Sequence, residues 1–206
     1  MVPDRSQPRG PAPLEAHDAR LHQFLRYCHI FSTAVREIFS TKYLAEVTKH
    51  PLTQSQFHLL KLIALNGGHQ LGEVADYLGV SPPAASKNVD KLARLGLVAR
   101  SRSAADRRAT TLTANARGRG LVNRYEELKA KRIASLLEEF DPNEVEDLSR
   151  LLERFAVSLL RQERPGRGFC LRCGVYIEED CPIGHVRGGC PYRKTRGEVS
   201  REGNDK

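Results

Sequence analysis

The sequence predicts a mainly α protein with one small β element, on three observations. Apolar residues recur at steps of three and four over most of the chain, the period of a helix with one buried face. Alternation is confined to Val98–Arg102 and to a return through Ala109 to Leu112, the pattern of two paired strands. Leu, Ala, Arg and Glu dominate, Trp is absent and aromatic residues make up only 6%, which favours helices. Hydrophobic residues at 40% and charged residues at 28% support a packed core. The 206 residues suffice for one ordinary domain and an appendage.

Residues 1–14 carry Pro3, Pro8, Pro11 and Pro13 among polar residues and read as a disordered tail. From about Glu15 to Lys49, Leu21, Phe24, Leu25, Cys28, Phe31, Val35, Ile38 and Phe39 trace one helical stripe, stopped before Pro51. Thr53 is placed to cap a second helix with Phe57, Leu60 and Ile63, ended by Asn66-Gly67-Gly68. Leu71 to Leu78 is a short helix whose apolar face is Leu71, Val74, Ala75 and Leu78. Gly79 permits a sharp turn, Ser81 caps the next helix and Pro82 suits its first position. That helix turns Val89, Leu92 and Leu95 inward, and Ser86, Lys87, Asp90, Lys91 and Arg94 outward. The alternating runs follow, with Ser103 to Arg108 as their loop. A helix from about Ala114 to Phe140 carries Leu121, Tyr125, Leu128, Ile133, Leu136, Leu137 and Phe140. Asp141-Pro142 opens the last one, with Val145, Leu148, Leu151, Leu152, Phe155 and Leu159, fading near Glu163. Pro165-Gly166-Arg167-Gly168 reads as a linker into a Cys-rich segment.

Charge singles out one stretch. The formal net charge is +8. Residues 82–120 hold Lys87, Lys91, Arg94, Arg100, Arg102, Arg107, Arg108, Arg117 and Arg119 against only Asp90 and Asp106. A focused patch of this kind suits a polyanionic partner. Two short helices joined by a Gly turn, with a basic second helix and an Arg-tipped hairpin, describe a winged helix-turn-helix for duplex DNA. The second helix enters the major groove, and an Arg at the wing tip enters a narrow minor groove, where the potential is most negative. The Ser81 region is expected to offer backbone N–H groups to a phosphate. Asp106 reads as the residue that orients Arg108. Candidate DNA-binding residues are Ser81, Pro83, Ala84, Ser86, Lys87, Lys91, Arg94, Arg102, Asp106, Arg107 and Arg108.

Three stretches carry a resemblance to a known family: LTQSQFHLLKLI, LGEVADYLGVSPPAASKNVDKLARLGLVAR and DRRATTLTANARG. Over about residues 20–160 the chain resembles the MarR family of winged-helix transcription factors, the last stretch matching its Asp-x-Arg wing signature. The resemblance implies a two-fold homodimer, assembled from the first and the last two helices, on a pseudopalindromic operator. It places family roles on Asp106, Arg108, Pro83, Ala84, Ser86, Lys87 and Lys91. It also implies a pocket for a small, often aromatic, effector. One departure is Pro82-Pro83-Ala84-Ala85, poor in hydrogen-bonding side chains where the helix meets bases. Thymine-methyl contacts and shape readout then carry more of the specificity. The expected organisation is a disordered tail at 1–14 and a MarR-like domain at 15–163. The winged helix lies at about 53–113, between dimerisation helices at about 15–49 and 114–163. A Cys-rich metal-binding extension occupies 164–193 and a flexible tail 194–206.

The extension contains Cys170, Cys173, Cys181 and Cys190 in the pattern C-x2-C-x7-C-x8-C, with His185 in the last interval. Four thiolates at such spacing suit tetrahedral zinc or an iron–sulfur cluster. Cys173-Gly174 resembles a zinc knuckle, whereas Cys181-Pro182 and Cys190-Pro191 resemble ferredoxin-type ligation. Zinc is preferred, iron–sulfur is the alternative, and His185 reads as a lesser candidate ligand. The segment has few core formers, so a cross-link is expected to fold it. Its place directly after the dimerisation helices suggests a redox or metal sensor that biases the spacing of the two recognition helices. A purely structural zinc is the other reading. Cys28, alone on an apolar stripe, reads as core packing.

No P-loop, dinucleotide fingerprint or His-Glu-x-x-His run occurs, so no enzyme is expected. No apolar run approaches the roughly 20 residues of a membrane span, and the expected location is the cytoplasm. A winged-helix protein-interaction module remains the alternative class.

Overall fold

The computed structural model describes residues 16–66, 68–102, 110–163, 166, 168–174 and 181–183. The expected tails at 1–14 and 194–206, the wing loop, and Pro165 and Arg167 of the linker lie outside the described residues. The chain divides into two units, Met1–Lys42 and Tyr43–Lys206.

The first unit is the helix α1 (Ala16–Glu37), followed by a π-helical stretch, Ile38–Tyr43. Its apolar stripe of Leu21, Phe24, Leu25, Ile30 and Phe31 is exposed. The sequence predicted one continuous helix to Lys49. The π-helical stretch ends the α-helical hydrogen-bond pattern at Glu37. The short α2 (Leu44–Val47) follows with Leu44 buried, as is Tyr43 before it.

The second unit is built around α3 (Gln54–Asn66). A reciprocal cap starts α3: the Gln56 amide donates to Thr53 Oγ1 at 3.3 Å and the Thr53 amide to Gln56 Oε1 at 3.1 Å. Phe57, Leu60 and Ile63 are buried as expected, and Leu59 and Leu62 are buried too. The helix is therefore enclosed on more than one side and carries the core. Around it stand β1 (His69–Gln70), α4 (Leu71–Leu78), α5 (Pro82–Arg94), β2 (Val98–Arg102) and β3 (Thr110–Ala114). Val74, Val89, Leu92, Leu97, Leu112, Leu121 and Val122 close the core on α3. Each such fully buried side chain contributes roughly 1.5–3 kcal/mol of transfer free energy.

The wing pairs Val98 with Ala114, Arg100 with Leu112 and Arg102 with Thr110. The expected two-stranded wing is present, and a third strand extends the sheet in the order β1-β3-β2, with His69 opposite Leu112. Two residues are too few to show a strand period in sequence.

Helix α6 (Ala116–Leu137) begins two residues later than expected, because Ala114 still pairs in the sheet. Asn115 caps it, accepting from the Gly118 amide at 3.0 Å and donating to the Gly96 carbonyl at 2.5 Å. Its first half is core, with Leu121, Val122 and Tyr125 buried, while Leu136 and Leu137 near its end are exposed, as is Phe140 just beyond. Helix α7 (Pro142–Gln162) starts as predicted, with Asp141 accepting from the Asn143 amide at 2.8 Å and Glu144 from the Asp141 amide at 3.0 Å. None of its residues is buried. Helix α8 (Phe169–Cys173) falls in the Cys-rich extension.

Candidate nucleic-acid interface

The turn between α4 and α5 is set by Gly79, whose φ of 65° lies in the left-handed region that favours glycine. Its amide and that of Val80 bond back to carbonyls of Asp76 and Ala75 at 3.2 and 3.1 Å. Ser81 then takes the extended backbone of an N-cap, but its side chain makes no capping bond. The two prolines narrow what the side chain could cap, leaving only the Ala84 amide. Pro82 and Pro83 carry no N–H, so one of the amides that a cap normally satisfies is missing. For the same reason the expected cluster of free amides at this helix start shrinks. Ser81 remains exposed there, beside exposed Pro82 and Pro83.

The faces of α5 sort as the sequence predicted, with refinements. Ala85, Val89 and Leu92 are buried, and Leu95 only partly. Lys87 and Arg94 are exposed, whereas Ala84, Ser86, Asp90 and Lys91 are half-buried. Two residues that the sequence did not single out for this role hold the helix in place. Asn88 donates to the Ala84 carbonyl at 3.1 Å and accepts from Gln56 at 3.2 Å, joining α5 to α3. Arg100 reaches across from β2 to Asp90 at 2.8 Å and to the Ser86 carbonyl at 3.4 Å. The pair fixes the wing strand against the recognition helix and cancels one of the nine local cations. The long sequence separations, 32 for Asn88 with Gln56 and 14 for Arg100 with Ser86, explain why neither pairing is visible in a local pattern.

Arg102 ends β2, opposite Thr110. Asp106, Arg107 and Arg108 lie outside the described residues. The structure therefore gathers Ser81, Pro83, Ala84, Ser86, Lys87, Lys91 and Arg94 on one helix with a strand leading to Arg102 beside it.

In the cysteine segment, Cys170 and Cys173 share α8, which is framed by two left-handed glycines, Gly168 and Gly174. The Gly174 amide donates to the Cys170 carbonyl at 3.1 Å and closes the C-x2-C turn. That turn and its donors suit two positions of a thiolate-bound ion. Among the described residues no three His, Cys, Asp or Glu side chains gather into a metal-holding group. Cys181 is half-buried just before a helical pair at 182–183, and Cys190 and His185 lie outside the described residues.

The extension does not simply trail the last helix. Leu171 is only 2% exposed and packs on Leu62 of α3, with Tyr77, Leu78 and Cys170 around it. The Gly174 carbonyl faces Lys61 Nζ at 3.5 Å, and Lys61 also holds Glu126 of α6 at 2.7 Å. Burial acts to raise the Glu126 carboxyl, but Lys129 and Lys61 outweigh it and hold the group below its usual range. His58 lies against the same turn, and burial pushes its imidazole down to about 4, with a bond to the Leu171 backbone opposing.

The geometry has counterparts among known proteins. The sequence profile of the MarR family matches residues 50–109. MhqR, an HTH-type transcriptional regulator of Bacillus subtilis, is 28% identical over 112 residues, 54% of this chain and 77% of that protein. Rv2887, an HTH-type transcriptional repressor of Mycobacterium tuberculosis, is 30% identical over 103 residues, 50% of this chain and 74% of that one. The chain belongs to the MarR family. This MarR-type transcriptional regulator also matches the crystal structure of RV1404 from Mycobacterium tuberculosis, with a TM-score of 0.58 and 26% identity. The superposition covers 71% of this regulator and 97% of that chain. The four cysteines of the extension lie beyond the residues that the family profile matches.

Proposed function

We propose that this regulator binds a pseudopalindromic operator as a homodimer and represses transcription from it. One observation carries the reading: α5 presents Lys87, Lys91 and Arg94 from a helix locked to α3 by Asn88 and to the wing by Arg100. A basic helix held this firmly is preorganised for a major groove. Ser81, Pro83, Ala84 and Ser86 sit at its leading end, and Arg102, Asp106, Arg107 and Arg108 are the residues assigned to the adjacent minor groove. The exposed apolar stripes of α1 and α7 support a second copy as the dimer partner. Among the described residues no helix is long and apolar enough to cross a membrane.

The test is equilibrium binding to a duplex selected by the wild-type protein from a random library. Lys87→Ala and Arg108→Ala are each expected to weaken binding by about 1–3 kcal/mol. Unchanged affinity in both variants contradicts the interface.

We propose further that Cys170, Cys173, Cys181 and Cys190 hold a zinc ion, with an iron–sulfur cluster as the alternative. The closed turn at Gly174 supports this reading. Metal and acid-labile sulfide content of anaerobically purified protein tests it. One zinc per chain without sulfide is expected, iron with sulfide replaces zinc by a cluster, and neither metal contradicts both.

A further inference from the structure

We propose that residues 168–174 form a clamp on the helix-turn-helix, tightened through Leu171 when Cys170 and Cys173 capture an ion. The inference rests on the zinc reading above and adds what the ion acts on. Helix α8 has five residues, far short of the roughly 12–15 that an isolated helix needs. Its few hydrogen bonds are too short a run to hold the turn alone, so the docking of Leu171 carries it. The contact is specific. Leu171 is buried against Leu62, and the surrounding Tyr77 and Leu78 belong to the last turn of α4, immediately before the Gly79 pivot into α5. Gly168 enters the clamp at φ 75°, where a Cβ would stand 2.7 Å from the Leu78 carbonyl oxygen. At the other end the Gly174 carbonyl faces Lys61 of α3.

The two cysteines flank Leu171 within one helical turn. An ion that joins them orders the same backbone that the docked Leu171 orders. Each event costs less entropy once the other has occurred, and the coupling is reciprocal. Ion capture thus stiffens the end of α4, and with it the pivot that aims the recognition helix. The clamp touches the scaffold of the DNA-reading unit itself, not the spacing between two such units that the sequence suggested.

The full chain tests this with zinc as the probe. Zinc affinity is read by chelator competition, and DNA affinity on the selected duplex with and without zinc. In the wild type, zinc is expected to tighten DNA binding by about fivefold or more. Leu171→Ala and Gly168→Ala keep every cysteine and are each expected to weaken zinc binding about tenfold and to erase the effect on DNA. Far-ultraviolet circular dichroism checks that both remain folded. Wild-type zinc affinity and response in both folded variants overturn the clamp while the metal reading stands. A wild type that takes up no zinc overturns the metal reading and the clamp with it.

Discussion

His69, buried, and His58, half-buried, are both held neutral, and that ties the stability of the domain to pH. Burial lowers both imidazoles below the ordinary value of 6.5, His58 to about 4, with Glu73 opposing the shift at His69. His69 is fully buried, edge-on to Tyr77. Between those values the unfolded chain binds protons that the folded chain does not, so stability rises with pH across the window. Urea midpoints are expected to be level above about pH 6.5 and to fall as the pH is lowered towards 4. His58→Gln is expected to flatten that slope, and equal midpoints of the wild type at pH 5 and 7.5 contradict the linkage. Asn115 makes a second residue-scale claim. It caps α6 and ties it to Gly96, so Asn115→Ala is expected to cost about 1–2 kcal/mol in denaturant unfolding.

The elements meet most tightly where α6 crosses the start of the wing. A Cβ on Gly118 would stand 2.2 Å from the Leu97 carbonyl and 3.1 Å from Leu60. Gly→Ala inside a helix ordinarily gains up to about 1 kcal/mol. Here the overlap dominates, and Gly118→Ala is expected to cost about 1–3 kcal/mol, read as a lower melting temperature. This crossing also shows what a sequence exposes and what it hides. The faces of α5, the start of α7 and the Asp141 cap were legible, because each is a local pattern over a few residues. The boundary of α6 was not, since sheet pairing at Ala114 overrides an unbroken helical pattern. Ser81 stands at the N-cap as read, but without a side-chain capping bond. The partners of Asn88 and Arg100, and the docking of Leu171 on Leu62, arise from residues far apart in sequence and follow only from the packing.

Over the whole molecule, α7 displays Leu148, Leu151, Leu152, Phe155 and Leu159 at 40–55% exposure, at steps of three and four. A stripe of that extent calls for a partner, and in the proposed regulator the partner is a second copy. Leu152→Glu with Phe155→Glu is expected to shift sedimentation from dimer to monomer and to weaken operator binding together. A variant that stays dimeric contradicts that use of α7. Binding of the wild type to the selected duplex is also expected to fall steeply with salt, as Lys and Arg release counterions from phosphates. The most direct measurement of the central claim is a footprint of the wild-type protein on that duplex. Two protected half-sites related by a two-fold axis, with centres about one helical turn apart, are the expected result. A single protected half-site, or protection that ignores salt and sequence, contradicts a dimeric operator-binding regulator.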